Sequence, residues 1–289
     1  MIEKIEGGAM SMPVHVHPTT VLPLRSREIK VGDRTLIMGI LNVTPDSFSD
    51  GGAYNHVEKA VEHALDMCAA GADIIDIGGE STRPGHTPVP VDIELARVLP
   101  VIQGIRQVSD IPISIDTYKA ETAKQAIEAG ADVINDVWGA KADPDMAKVA
   151  AAYRVPIILM HNRHDLNYTD LLEDMKCDLI ESIQMAKAAG VTDQQIWIDP
   201  GIGFAKTHDH NLEVMQHLES LHELGYPMLL ATSRKRFIGE TLGLDVQDRL
   251  EGTGATVCLG IAKGCQMVRV HDVKPIARMV KMMDAMVRR

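Results

Sequence analysis

Eight short runs rich in Val and Ile, each bounded by turn residues, constrain this chain more than any other feature. They fall at 36–41, 73–79, 113–117, 132–137, 157–160, 196–198, 228–232 and 267–270. Continuous apolar runs of this length read as strands buried on both faces, the habit of parallel sheets. Between them, stretches such as 56–70, 120–129, 143–152, 169–189, 211–224 and 254–263 read as helices. Several end in a glycine suited to a left-handed cap: Gly71, Gly130, Gly190 and Gly264. Ala-Gly-Ala at 70–72 recurs at 129–131, repeating one helix-to-strand turn. Strand-then-helix alternation, eight times over, predicts an α/β chain folded as a (β/α)8 TIM barrel. A doubly wound open sheet is the alternative.

The 289 residues suit one such barrel. We expect 21–289 to form a single domain, with 1–20 an N-terminal extension outside it. Residues 21–32 alternate enough for a hairpin at the barrel floor. At the other end, 275–289 places Ile276, Met279, Val280, Met283 and Met286 on one helical face, for packing on the barrel or for a subunit interface. No apolar run approaches the ~20 residues that span a bilayer, and 1–12 lacks the basic-then-apolar pattern of a secretory signal. Cys68, Cys177, Cys258 and Cys265 form no CxxC pair and read as reduced residues of a cytoplasmic protein. A formal charge of −11, offset by no basic stripe, argues against a nucleic-acid partner.

Barrel active sites form at the C-terminal ends of the strands, so the residues that follow each run carry the most information. In order they are Asn42, Glu80 to Arg83, Asp116, Asn135-Asp136, His161-Asn162, Asp199, Ser233 to Arg236, and Arg269 with His271-Asp272. Eight polar endings on one rim make a site. The last two loops are the usual phosphate corner of this fold, and here they hold Lys235, Arg269 and His271. Arginine forks match phosphate oxygens in pairs, lysine acts as a point charge, and a helix starting near Phe237 would add N–H donors. Arg234 and Arg236 are equally compatible with surface ion pairs. Arg269 alternates with Val268 and Val270, and an inward guanidinium on a central strand needs an anion partner. Asp116, Asn135 and Asp199 end the third, fourth and sixth runs. Carboxylates accept from adjacent ring N–H and NH2 groups, while an amide reads a mixed edge, which suggests a pterin or purine-like ring. The same carboxylates also suit a metal site or helix caps. The loops at 42–52 and 82–88 carry the Gly and Pro of mobile lids. Phe48 there would cover an aromatic substrate or pack on the rim.

Seven segments together resemble the dihydropteroate synthase family: LNVTPDSFSDGG at 41–52, GGESTRPG at 78–85, SIDTY at 114–118, NDVWG at 135–139, DPGIGF at 199–204, TSRKRF at 232–237 and VRVHDV at 268–273. The likeness runs from about Thr35 to the C-terminus and is nearest to bacillus-type members. It implies a transferase that joins 6-hydroxymethyl-7,8-dihydropterin pyrophosphate to p-aminobenzoate in folate biosynthesis, releasing pyrophosphate. Mg2+ is the implied cofactor, with Asn42 as its ligand. Thr82, Asp116, Asn135, Asp199, Lys235, Arg269 and His271 would form the pterin pyrophosphate site. Within it, Asp199 and Asn135 would grip the ring, and Arg269 and His271 the diphosphate. Phe48, Arg83, Pro84 and Lys235 would frame p-aminobenzoate. Asp116, Lys235 and Asn42 are the implied catalytic residues, and a homodimer is the implied assembly. Family members vary after the SRK tripeptide, so Arg236 inherits no role.

Three other readings compete. A metal-dependent amidohydrolase would use His15, His17, His161, His271 and Asp272, but His15 and His17 precede the first run and the sixth delivers Asp199. A methyltetrahydrofolate-dependent methyltransferase shares the pterin-binding barrel but needs no diphosphate corner. A binding-only paralogue would bind pterin without forming product.

Overall fold

The apolar runs become strands because their side chains find burial on both faces. The computed structural model describes residues 20–24, 28–44, 53–81 and 87–288. A two-stranded antiparallel hairpin comes first, β1 (Thr20–Pro23) with β2 (Glu28–Val31). Eight barrel strands follow: β3 (Leu36–Asn42), β4 (Ile74–Gly78), β5 (Ile113–Asp116), β6 (Val133–Asp136), β7 (Ile157–Met160), β8 (Ile196–Asp199), β9 (Leu229–Leu230) and β10 (Met267–Val270). They pair in parallel in the order β8-β7-β6-β5-β4-β3-β10-β9. The remaining gap, between β8 and β9, is closed by one bridge from Ile198 to Met228, with the Ile198 N–H on the Pro227 carbonyl at 3.0 Å. The Met228 N–H turns to the Gln266 side-chain oxygen, 2.7 Å away.

Helices α1 (Ala53–Ala69), α2 (Val91–Val108), α3 (Ala120–Ala129), α4 (Met146–Tyr153), α5 (Leu171–Ala188), α6 (His208–Gln216), α7 (Arg236–Leu242), α8 (Leu250–Ala262) and α9 (Val273–Val287) connect and cover the strands. Outward strand residues such as Ile75, Ile115, Leu159 and Val268 join the helices in one apolar cluster. Inward residues split by height. Leu36, Met38, Ile74, Val133, Ile158, Trp197, Leu229 and Met267 fill the lower barrel, and Leu22 and Val31 of the hairpin belong to the same cluster. The hairpin is therefore the floor that the alternation at 21–32 predicts. Nearer the strand ends the inward positions turn polar, and that change of character makes the site.

Gly71, Gly130, Gly190 and Gly264 all adopt positive φ at the expected helix ends. Other boundaries differ from the sequence reading. The stretch 211–224 is two elements: α6 starts earlier because Thr207 Oγ1 accepts the His210 N–H at 3.1 Å, and a 3-10 helix (Leu218–Leu224) follows a break at His217. Periodicity does not delimit α2, because Pro100 lies inside it. β9 is shorter than 228–232: the Met228 N–H bonds the Gln266 side chain, and register pairing with β10 covers only Leu229 and Leu230. On α9, Ile276 and Val280 are buried, and Met279 and Met283 pack against the core. Met286 is exposed, so the expected apolar face is not wholly turned to the barrel.

Candidate active site

The polar layer follows from register. Asp76 pairs across to Ser114, Asp116 to Asn135, and Met160 to Asp199, so side chains of one pleat converge inside the barrel. Asp76, Ser114, Asp116, Asn135 and Asp199 are all buried. Arg269 enters from β10 and is held by two carboxylates: its Nε donates to Asp76 Oδ2 and its Nη2 to Asp116 Oδ2, each at 2.6 Å. The anion partner expected for an inward guanidinium is thus Asp76 together with Asp116. Asn135 Nδ2 donates to the same Asp76 oxygen at 3.2 Å. Asp76 Oδ1, Asp116 Oδ1 and the Ser114 hydroxyl have no hydrogen-bond partner among the described residues. Buried polar atoms left in this way are costly unless a ligand completes them.

Burial raises the Asp116 carboxyl to about 7, with the Arg269 charge opposing that rise and Asp76 adding to it. Burial likewise raises Asp199, against the Lys235 ammonium and the Gly201 N–H that donates to Asp199 Oδ1 at 2.7 Å. Asp136, beside Asn135, faces away: its oxygens take the Trp138 and Ala140 N–H groups at 2.8 and 2.7 Å, forming a tight turn.

Lys235 reaches the layer from the loop after β9. Its ammonium donates to the Ile202 carbonyl and sits 4.8 Å from the Phe204 ring centroid. Desolvation lowers its pKa to about 8, with Asp199 pulling the other way. The turn that aims it is strained, because Arg234 takes a φ of +58°. Thr253 Oγ1 accepts the Arg234 N–H at 3.0 Å, and Arg249 Nη1 donates to the Arg234 and Lys235 carbonyls at 3.1 and 3.3 Å. The flanking arginines turn away. Arg234 forks onto Asp272 at 2.9 and 2.6 Å, and exposed Arg236 pairs with Glu240. His271 lies against Ser233, whose Oγ is 2.9 Å from Nδ1 and accepts the His271 N–H at 3.1 Å. Asn42 ends β3, partly buried, with its amide oxygen 3.7 Å from the position a Cβ on Gly78 would occupy.

Sequence reasoning missed a supporting network below Asp199. The loop 200–207 is pinned by Lys206, whose ammonium donates to the Gly201 and Phe204 carbonyls at 3.1 and 3.2 Å and meets His161 Nδ1 at 2.8 Å. His161 Nε2 lies 3.0 Å from Asp178 Oδ2, which also takes the Arg163 Nε–H. Desolvation lowers Lys206 to about 7 and His161 to about 4. His161 and Asp272 are therefore occupied by Asp178 and Arg234. Among the described residues no group of three or more His, Cys, Asp or Glu side chains is placed to hold a metal ion. His15, His17, Phe48, Thr82, Arg83 and Pro84 lie outside the described residues. A surface cleft of about 390 Å3 after β6 and β7, lined by Trp138, Lys141, Asn162, Arg163 and Asp178 among others, includes none of the polar layer.

The comparisons with known proteins agree with this geometry. Residues 38–271 match the model of the pterin binding enzyme family. A dihydropteroate synthase of Bacillus subtilis is 60% identical over 271 residues, covering 94% of this chain and 95% of that protein. The crystal structure of a Clostridium difficile dihydropteroate synthase, obtained in the presence of pteroic acid, superposes with a TM-score of 0.88 at 52% identity, covering 90% of this chain and 99% of that one. A Xanthomonas albilineans dihydropteroate synthase in complex with 7,8-dihydropteroate gives 0.85 at 40% identity, covering 92% and 98%. From family model, relatives and polar layer alike, the chain belongs to the pterin-binding enzymes and, among them, to the dihydropteroate synthases.

Proposed function

We infer that this chain condenses 6-hydroxymethyl-7,8-dihydropterin pyrophosphate with p-aminobenzoate, giving 7,8-dihydropteroate and pyrophosphate for folate biosynthesis. The observation that carries the reading is the convergence of Asp116, Asn135, Asp199, Lys235 and Arg269 on one buried layer. Asp199 and Asn135 grip the pterin ring, the carboxylate accepting from ring donors and the amide meeting a mixed edge. Arg269, Lys235 and His271 hold the diphosphate. As the C–O bond to the diphosphate breaks, its electrons leave with pyrophosphate and positive charge develops on the pterin methylene. Asp116 stabilises that charge and Lys235 the departing anion. The p-aminobenzoate amine then forms the C–N bond and gives up a proton. Phe48, Arg83, Pro84 and Lys235 frame that second substrate, and Thr82 completes the first site.

Asn42 is the residue we assign to Mg2+. Mg2+ is commonly held through one or two protein oxygens plus substrate phosphates. The Asn42 amide oxygen, at the partly buried end of β3, suits that mode. When bound, the ion would neutralise charge on the diphosphate. The working protein is a cytoplasmic homodimer, an assembly that sedimentation velocity would test; a single monomeric species at micromolar concentration would refute it. Mass spectrometry of reactions with and without p-aminobenzoate tests the activity. Dihydropteroate is expected only with both substrates and Mg2+, and folded protein that binds pterin without forming product would favour a binding-only role.

A further inference from the structure

We propose that Asp76 is a positioning residue for the pterin pyrophosphate site, fixing through one carboxylate oxygen both the edge that Asn135 shows to the ring and the plane in which Arg269 meets the diphosphate. It rests on the function and residue roles proposed above; turnover of the native protein checks that function, and ligand titration of Arg269→Ala checks the anion role, separately from the variants below.

Asp76 sits in β4 between Ile75 and Ile77, fully buried at the centre of the polar layer. Its Oδ2 accepts from Asn135 Nδ2 at 3.2 Å and Arg269 Nε at 2.6 Å, linking β6 and β10, which lie two strands away on opposite sides. An ionised carboxylate oxygen only accepts. Asn135 must therefore turn its nitrogen toward β4, and its oxygen is left as the acceptor for a ligand. Rotation of that amide would exchange donor for acceptor on the recognition edge. The effect on Arg269 is similar. Nε and Nη2 form one side of the guanidinium, and Asp76 and Asp116 take both, so the plane is set. Nη1 has no partner among the described residues and remains for an anion.

The energetics point the same way. Lower in the barrel the inward positions of these strands hold Leu, Ile, Met, Val and Trp197, so the strand geometry itself does not call for a carboxylate. A buried carboxylate with Oδ1 unpartnered is costly, and burying ions in place of apolar groups does not by itself add stability. What Asp76 contributes is orientation of two neighbours.

The test measures kcat and both KM values for Asp76→Ala, Asp76→Asn, Asn135→Ala and the Asp76→Ala/Asn135→Ala double variant. Asp76→Ala is expected to raise the KM for the pterin pyrophosphate by about tenfold or more, the scale of a lost charged hydrogen bond. The KM for p-aminobenzoate should stay within about twofold of native, since the two residues bonded to Asp76, Asn135 and Arg269, are assigned to the pterin pyrophosphate and not to p-aminobenzoate. Asp76→Asn keeps an acceptor oxygen in place and should restore most of the pterin KM. In the Asn135→Ala background the Asp76→Ala effect should shrink, because part of it acts through Asn135. Arg269 keeps Asp116 in all these variants, and Asp76→Val, which fits a strand, replaces Asp76→Ala if the latter does not fold. Equal rises in both KM values, an unchanged pterin KM, or strict additivity in the double variant would each overturn the proposal.

Discussion

The roles proposed for Arg269 and Asp199 differ, anion recognition for one and ring recognition for the other, and their variants should separate the two. Asp199→Asn sets an amide donor against donors of the ring and should weaken pterin binding by about 1–3 kcal/mol, with or without the diphosphate. Calorimetric titration with a bare pterin measures this, and unchanged affinity would refute the placement. Arg269→Ala should lose affinity for the diphosphate form. It also strips Asp76 and Asp116 of their common cation, so denaturant melts should show destabilisation of about 3–5 kcal/mol. Protonation supplies another readout. Because burial raises Asp116 to about 7, the folded protein binds more protons than the unfolded chain between the two pKa values. Its contribution to stability is present below about pH 4 and lost as pH rises through about 7. His161, lowered to about 4, runs oppositely: its contribution is present above its unfolded value and lost as pH falls through about 4. Urea melts of Asp116→Asn should thus show a shallower decline than native between about pH 4 and 7, the remainder coming from groups such as Asp136, which burial raises to about 6; an unchanged decline would assign the titration to another group. The chain advertises Arg269 through its valine neighbours, and Asp76 carries the same signal between two isoleucines. A search of strand ends passes over Asp76 because it lies two residues inside β4. Lys206 gives no local signal, since its partners are loop carbonyls and a histidine 45 residues away.

At the scale of elements, the loop between β8 and α6 holds the site together. It carries Asp199 at its start, presents the Ile202 carbonyl to Lys235, and is tied back to β7 by Lys206. Lys206→Met should release this loop while keeping much of the side-chain volume. We expect weaker pterin binding and faster amide exchange at Gly203, whose N–H otherwise donates to Asn211 Oδ1 at 2.6 Å. Native-like exchange at Gly203 in the variant would show that other contacts suffice. Helix ends marked by glycine were readable because a positive φ leaves a compositional trace. The extent of β9 was not, because it depends on which neighbour the Met228 N–H finds.

The whole molecule is an eight-strand cylinder whose ladders are unequal. β3 and β4 share five register pairs, whereas β8 and β9 share a single bridge. Strand count and direction were legible because alternation is a property of the chain; the position of the weakest join is not, since it emerges only on closure. That join separates the strand bearing Asp199 from the strand leading to Lys235, and Gln266 fills in for a missing backbone partner. A cylinder stressed from within parts first where fewest bonds cross, as a stave vessel does between its loosest staves. The Ile198 amide should then exchange with solvent deuterium sooner than that of Ile75, on the well-laddered side, as peptide-resolved mass spectrometry would record. Ligand spanning both staves would act as a hoop, slowing Ile198 far more than Ile75, and equal slowing at both would mean the vessel tightens as one piece.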